Sequence, residues 1–172
     1  DMADTRFLGD PTVANGYRSL LPVLRAHAPL DLVILMLGTN DLKSRYCQTP
    51  RSITANVERL ARRILTSNAG PGPWGEGKAP KLLILCPAQV GERIKDPAYD
   101  RKEEWGQAQS IMAALPPLYK ALADDLRADF FDIGPLITPG AMDPFHWPED
   151  QHVKLGQALA PVVRDILDRD VI

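Results

Sequence analysis

Cysteine, histidine and aromatic residues are scarce in this sequence, and neither sign of charge dominates. The 172 residues include 2 cysteines and 3 histidines, aromatic residues make up 6%, and the formal net charge is -2. Two cysteines without CxxC spacing, Cys47 and Cys86, do not make a disulfide framework. Two free thiols are therefore expected, with Cys86 in the core. The scattered histidines predict no metal site. The near-neutral charge argues against nucleic acid or an anionic membrane as a partner.

Long apolar runs are also missing from the chain. No run approaches the roughly 20 residues that span a bilayer, and no secretory signal is present at the N-terminus, so a cytoplasmic protein is expected. The length predicts one domain over residues 1–172. The chain opens on Asp1 without an initiator methionine, and we therefore expect that 172 residues is not the working length.

Helical and strand-like patterns alternate along the chain. Short apolar runs at 31–37, 81–86 and 129–133 are typical of parallel strands buried on both faces. Helical periodicity separates them, at 16–27, after the Thr49-Pro50 start signal, around a break at Pro116-Pro117, and from about 150 to 168. This order predicts an α/β fold with three layers, parallel strands and right-handed crossovers. In such folds, ligands bind beyond the carboxyl ends of the strands.

One segment matches a nucleotide-binding sequence pattern but lacks the neighbouring strand and helix that this pattern requires. Residues 70–75 read Gly-Pro-Gly-Pro-Trp-Gly and match GxGxxG. The pattern follows a helix and precedes a strand, whereas the dinucleotide fingerprint leaves a strand and opens a helix. Its prolines also remove N–H donors that would hold phosphate. A loop is therefore predicted here.

The first chemically informative segment is Gly38-Thr39-Asn40-Asp41, directly after the strand at 31–37. An asparagine at this rim can donate its amide N–H to a developing oxyanion, which a carboxylate cannot do. Gly38 allows a sharp turn of the backbone. An ordinary strand-to-loop turn is the competing interpretation.

The second informative segment is Asp143-Pro144-Phe145-His146, after the strand at 129–133. A carboxylate three residues before a histidine can accept a hydrogen bond from Nδ1–H and leave Nε2 free as a general base. The competing interpretation is a surface aspartate beside a packing histidine. His27 and His152 have no comparable partner and are predicted to be structural.

Taken together, the two segments resemble the third and fifth sequence blocks of the SGNH (GDSL-like) hydrolase family, which read Gly-x-Asn-Asp and Asp-x-x-His. The wider text around residues 29–41 and 130–138 is similar to the arylesterase and acyltransferase branch. The resemblance implies a flavodoxin-like sheet of five parallel strands in the order 2-1-3-4-5. It also implies that Asn40, with Gly38, belongs to the oxyanion and substrate-binding site, and that His146 is the base oriented by Asp143.

The resemblance further implies a serine ester hydrolase that acts on short acyl esters through an acyl-enzyme, with acyl transfer as a possible second activity. The partner would be a small-molecule ester, no cofactor is implied, and self-association into a homo-oligomer is compatible with the family.

The nucleophile that this family needs is not identified in the sequence. None of the five serines follows Gly-Asp at the end of a strand, and Gly9-Asp10-Pro11 places proline where serine is needed. We therefore expect the serine and the first two strands to lie outside this chain, which would be roughly the C-terminal two-thirds of the domain. The strand at 31–37 would otherwise expose an apolar edge to water.

Two alternatives remain at this point. A non-catalytic SGNH-like module, with a binding or structural role, would also lack the serine. A flavodoxin-like binder of nucleotide or phosphate fits the layer order, but the sequence has no phosphate loop.

Overall fold

The computed structural model of the chain describes residues 15–73 and 76–169. Within these ranges, helices and strands alternate as the sequence predicts. Their bounds are α1 Gly16–His27, β1 Leu32–Leu35, α2 Pro50–Leu65, β2 Lys81–Cys86, α3 Ala108–Ala113, α4 Leu115–Leu126, β3 Asp129–Asp132 and α5 Glu149–Asp168.

The three strands form one parallel sheet in the order β1-β2-β3. Ile34 of β1 pairs in register with Leu83 of β2, and Ile84 of β2 pairs with Phe130 of β3. The prediction of an α/β fold with a parallel sheet is confirmed. β1 is shorter than the predicted 31–37, because its ladder with β2 ends at Leu35.

The sheet separates two apolar cores. Successive side chains of a strand point to opposite faces, so β2 contributes to both cores. Leu82 and Ile84 pack with α1, α2 and α4 on one face, while Leu83 and Leu85 pack with α5 on the other. The three residues 83–85 are buried to 2% exposure or less. The core therefore fixes the carboxyl ends of all three strands at one edge of the sheet.

Local sequence signals account for where α2 and α4 begin on the first face. Thr49 caps α2 by accepting a hydrogen bond from the amide of Ser52 at 3.1 Å, and Ser52 Oγ accepts one from the amide of Thr49 at 2.8 Å. This reciprocal pair is a capping box. The predicted break at Pro116-Pro117 is the start of a separate helix: α3 ends at Ala113, and the two prolines lie in the first turn of α4, where their missing N–H groups cost no helical bond.

The edge of β1 that faces away from β2 has no strand partner among the described residues. Ile34 is 44% exposed although it lies in an apolar strand. On the same side of the sheet, Leu32 and Met36 are only partly buried beside α5. An apolar strand edge of this kind is a site for pairing with a further strand.

The predicted loop at the N-terminus, with Gly9-Asp10-Pro11, lies in residues 1–14, outside the described part of the chain. Of the GxGxxG segment, residues 70–73 form neither helix nor strand, and Trp74 and Gly75 are outside the described residues. Gly70 donates to the carbonyl of Lys78 at 2.7 Å, so this loop precedes β2 and lies at the amino ends of the strands. No helix in the described ranges is both long enough and apolar enough to cross a membrane.

Gly38, directly before the Thr39-Asn40 turn, has a conformation and surroundings that only glycine suits. Its φ is +129°, and a Cβ built on it would collide with the hydroxyl of Tyr119. That tyrosine is fully buried and donates to the carbonyl of Leu37 at 2.9 Å, so it cannot easily move away.

We expect Gly38→Ala to lower the free energy of unfolding by about 2–4 kcal/mol, since backbone strain and overpacking add together. Gly156→Ala is the matched control: it lies inside α5, and a Cβ there meets nothing within 4 Å. It should stabilise the protein by about 0.5–1 kcal/mol through helix propensity. Urea denaturation of both variants measures the two changes in the free energy of unfolding. Equal changes would contradict the conclusion that position 38 requires glycine.

Candidate active site

A pocket of about 390 Å³ opens at the carboxyl ends of the strands. Asn40, Asp143 and His146 all line it, so the loop after β1 and the loop after β3 converge on one space. Parallel strands deliver their carboxyl ends to the same edge of a sheet, which explains this convergence. The two sequence segments singled out for their chemistry are brought together by the fold.

Asp143 and His146 form a hydrogen-bonded pair within a tight turn. His146 Nδ1 lies 2.7 Å from Asp143 Oδ2. The other carboxylate oxygen, Oδ1, accepts the backbone N–H groups of Phe145 at 2.9 Å and His146 at 3.1 Å. The same aspartate therefore shapes the turn with one oxygen and orients the imidazole with the other.

The charge state of Asp143 follows from these contacts. Partial burial opposes ionisation, but the hydrogen bonds from the His146 ring and from the amides of Phe145 and His146 outweigh it and lower the pKa of Asp143. An ionised carboxylate can only accept, so the neutral form of the imidazole that this contact favours carries its proton on Nδ1 and its lone pair on Nε2. Nε2 is the atom that a general base needs to have free.

The pair is open on its outer side. The side chain of His146 is 86% exposed and that of Asp143 is 50% exposed. A catalytic imidazole in a closed site is shielded from water, which strengthens its electrostatic interactions. The described residues leave the His146 imidazole open to water.

Asn40 opens a short 3₁₀ turn, Asn40–Leu42, directly after β1. Its side chain is exposed and makes no hydrogen bond with the described part of the chain, so its amide N–H groups are available to the pocket. Gly38, predicted to belong to the same binding site, is buried and does not line the pocket.

An aromatic wall faces the pair, and no sequence motif marks its residues. Trp105 is buried, and its ring centroid lies 3.9 Å from that of Phe145, the residue before His146. The cations of Lys43 and Arg101 lie 5.5 Å and 5.9 Å from the Trp105 ring. Trp105 lies in the polar stretch between β2 and α3, far in sequence from both motifs. Only tertiary contacts reveal its place.

A second wall is formed by Trp147 and His152, whose rings lie 5.3 Å apart. His152 was predicted to be structural, yet it lines the pocket. The reason is geometric: it lies in the first turn of α5, which starts directly after the loop that carries Asp143 and His146. His27 is placed differently, with Nδ1 2.9 Å from the carbonyl of Val23 at the end of α1.

Among the residues that the structure describes, no serine or cysteine lines the pocket. All five serine hydroxyls donate to backbone carbonyls elsewhere, with partners Asn15, Glu103, Thr49, Ile64 and Gln107 for Ser19, Ser44, Ser52, Ser67 and Ser110. Both thiols are free, Cys47 exposed and Cys86 buried. Burial and then the charge of Asp132 raise the pKa of Cys86 to about 12, which keeps it protonated and unreactive.

Comparison with protein-family models and with curated protein sequences gives no match. Comparison with solved structures gives matches over nearly the whole chain. An aryl esterase of M. smegmatis has a TM-score of 0.82 and 34% identity, and the match covers 93% of this chain and 72% of that one. A carbohydrate acetylesterase from Sinorhizobium meliloti has a TM-score of 0.83 and 34% identity, covering 96% of this chain and 73% of that one.

Proposed function

Because the chain belongs to the SGNH (GDSL-like) hydrolase family, with matches in its arylesterase and acetylesterase branch, we propose that it supplies the acid–base pair and an oxyanion donor of a serine ester hydrolase. The observation that carries this proposal is the convergence of Asn40 and the hydrogen-bonded Asp143–His146 pair on one pocket.

The pair performs proton transfer in both halves of the reaction. A serine hydroxyl attacks the acyl carbonyl carbon while its proton moves to Nε2 of His146. Asp143 stabilises the imidazolium that forms, and the Asn40 amide donates to the carbonyl oxygen as it becomes an oxyanion. The intermediate then collapses, and the leaving alkoxide takes the proton from Nε2. The acyl group remains on the serine as an ester.

The second half repeats these steps with a new nucleophile. Water gives a proton to Nε2 and attacks the acyl carbonyl carbon. The intermediate then collapses, the acid is released, and the serine oxygen takes the proton back from Nε2. An alcohol in place of water gives acyl transfer. Aromatic side chains on the walls, Trp105, Phe145 and Trp147, would favour an apolar alcohol over water, so we include acyl transfer in the proposal. Short acyl esters are the proposed substrates.

The serine of this mechanism is proposed to come from residues other than the five serines of the chain. Each of those hydroxyls is bound to a backbone carbonyl away from His146. The exposed edge of β1, with Ile34 44% exposed, offers a place where a further parallel strand would bring such a residue next to the pocket. A strand there would also cover Leu32 and Met36 and shield His146 from water.

Fluorophosphonate labelling tests the proposal directly, since only an activated serine reacts. The protein is produced from its natural reading frame with the flanking coding sequence, labelled, digested and mapped by peptide mass spectrometry. We expect one labelled serine outside the five above, hydrolysis of p-nitrophenyl acetate, and loss of both in His146→Ala. His27→Ala, on a surface helix end away from the pocket, is the matched control and should keep both.

The results separate the two classes of function. A label on Ser19, Ser44, Ser52, Ser67 or Ser110 would contradict the proposed source of the nucleophile. If the protein showed no label and no hydrolysis, the results would favour a non-catalytic module with a binding or structural role. The hydrogen bonds of all five serine hydroxyls to backbone carbonyls also fit that alternative.

A further inference from the structure

The loop that follows β2 lies directly against the turn that carries the acid–base pair. The amide of Gly91 donates to the carbonyl of Pro144 at 2.8 Å. A Cβ on Gly91 would lie 3.1 Å from Cα of Pro144 and 3.3 Å from Cβ of Pro139. Pro144 stands between Asp143 and Phe145, so the position of Gly91 sets the position of the catalytic turn.

The position of Gly91 is in turn fixed by one side chain of α3. Gln109 Nε2 donates to the carbonyls of Val90 at 3.1 Å and Gly91 at 3.3 Å, and to Glu92 Oε1 at 3.3 Å. The opposite side of α3 is anchored in the core by Ala108, Ile111 and Met112, which are all buried. Gln109 therefore ties an irregular loop to a helix that cannot shift easily.

The same stretch of chain supports the turn at a second point. Trp105 packs against Phe145, with ring centroids 3.9 Å apart. Ser44 Oγ holds the backbone around Trp105, because it donates to the carbonyl of Glu103 at 3.0 Å and accepts the amide of Gly106 at 3.2 Å. The turn is therefore supported by Trp105 and by Gly91, and the amide of Gly140 also donates to the carbonyl of His146 at 2.9 Å.

We propose that Gln109 is a positioning residue of the active site: it holds Gly91 against Pro144 and so keeps the Asp143–His146 pair aligned with Asn40. It touches neither the pair nor the pocket, and its effect passes through two backbone segments. The catalytic part of this inference rests on the proposed function. The contact between Gln109, Gly91 and Pro144 does not.

Gln109→Glu is the sharpest test, because glutamate keeps the shape and loses both amide donors. Its carboxylate would face two carbonyls and the carboxylate of Glu92, so the loop should move away from α3. Gln109→Met removes the donors without adding charge and serves as the second variant should the first fail to fold. Gln107→Glu is the matched control, since it makes the same change two residues earlier, where no side-chain bond is present among the described residues.

Amide hydrogen exchange, followed by NMR, gives a readout that needs no activity. In both Gln109 variants we expect the amide of Gly91 to exchange at least about tenfold faster, while core amides such as that of Ile84 keep their rates. A general loss of stability would instead raise the exchange rates of the Gly91 amide and of the core amides together. Unchanged exchange at Gly91 in both variants would overturn the inference.

Kinetics of p-nitrophenyl acetate hydrolysis then test the catalytic consequence. A misplacement of about 1 Å can cost on the order of 10²-fold in rate, so we expect kcat to fall by about 10- to 100-fold with KM nearly unchanged. Wild-type kcat despite faster exchange at Gly91 would also overturn the inference. If the wild-type protein shows no esterase activity, the proposed function fails. The exchange experiment would still show whether Gln109 holds Gly91 against Pro144.

Discussion

Asp143→Asn is expected to lower kcat for ester hydrolysis by about 10⁴-fold while the fold stays intact. The asparagine oxygen can still accept the amides of Phe145 and His146, which preserves the turn. Its NH₂ group, however, would face His146 Nδ1, which must then become the acceptor. The ring proton moves to Nε2, and the imidazole can no longer take the proton of the nucleophile.

The comparison for this variant is Asp96→Asn. Asp96 makes the same kind of local bond, with Oδ1 accepting the amide of Ala98 at 2.8 Å, but it lies outside the pocket. Both variants should unfold at nearly the wild-type temperature in a thermal melt, and only Asp143→Asn should lose turnover. Turnover within tenfold of wild type in Asp143→Asn would refute the role of Asp143 as the group that orients His146.

The α/β fold could be predicted because short continuous stretches of the sequence indicate the strands and helices that form the core. The continuous apolar run Leu82–Leu85 is typical of a strand buried on both faces, and all four residues are 2% exposed or less in the structure. The Thr49-Pro50 pair marks the start of α2 without any tertiary information. Parallel strands then bring Asn40 and His146 to one edge, so the convergence of the two motifs follows from topology alone.

The walls of the pocket could not be predicted in this way. Trp105 lies 40 residues before Phe145, and nothing in its neighbourhood distinguishes it from a surface tryptophan. Gly91 and Gln109 act through backbone contacts that leave no pattern in the sequence. Gly38 was predicted to belong to the binding site on its place in the motif, whereas its φ of +129° and the hydroxyl of Tyr119 show a steric reason for glycine there.

The exposure of the site also has a physical meaning. A carboxylate–imidazole pair works best where water is excluded, yet His146 is 86% exposed beside a strand edge that is apolar and unpaired among the described residues. We propose one explanation for both observations, namely a further strand on the edge of β1 that pairs with that edge and covers His146. The proposed serine and the proposed strand are therefore a single hypothesis, and the labelling experiment tests them together.

Asn40→Ala is expected to lower kcat by about 10²- to 10³-fold, the usual cost of removing one oxyanion donor, with KM nearly unchanged. The amide contributes only when the carbonyl oxygen becomes negative, so the ground-state complex loses little. Stability should not change, because the turn is held by the backbone, with the amide of Lys43 donating to the Asn40 carbonyl at 3.4 Å. Steady-state kinetics with p-nitrophenyl acetate separate kcat from KM.

Asn40→Asp distinguishes the loss of the amide N–H donor from the loss of side-chain volume at position 40. Aspartate has the size of asparagine but offers no N–H at neutral pH, and its charge would oppose the oxyanion. We therefore expect it to be at least as impaired as Asn40→Ala. If asparagine only filled space in the pocket, Asn40→Asp would instead keep most of the activity. Wild-type turnover in either variant would remove Asn40 from the oxyanion site and leave the Asp143–His146 pair as the only catalytic groups assigned in this chain.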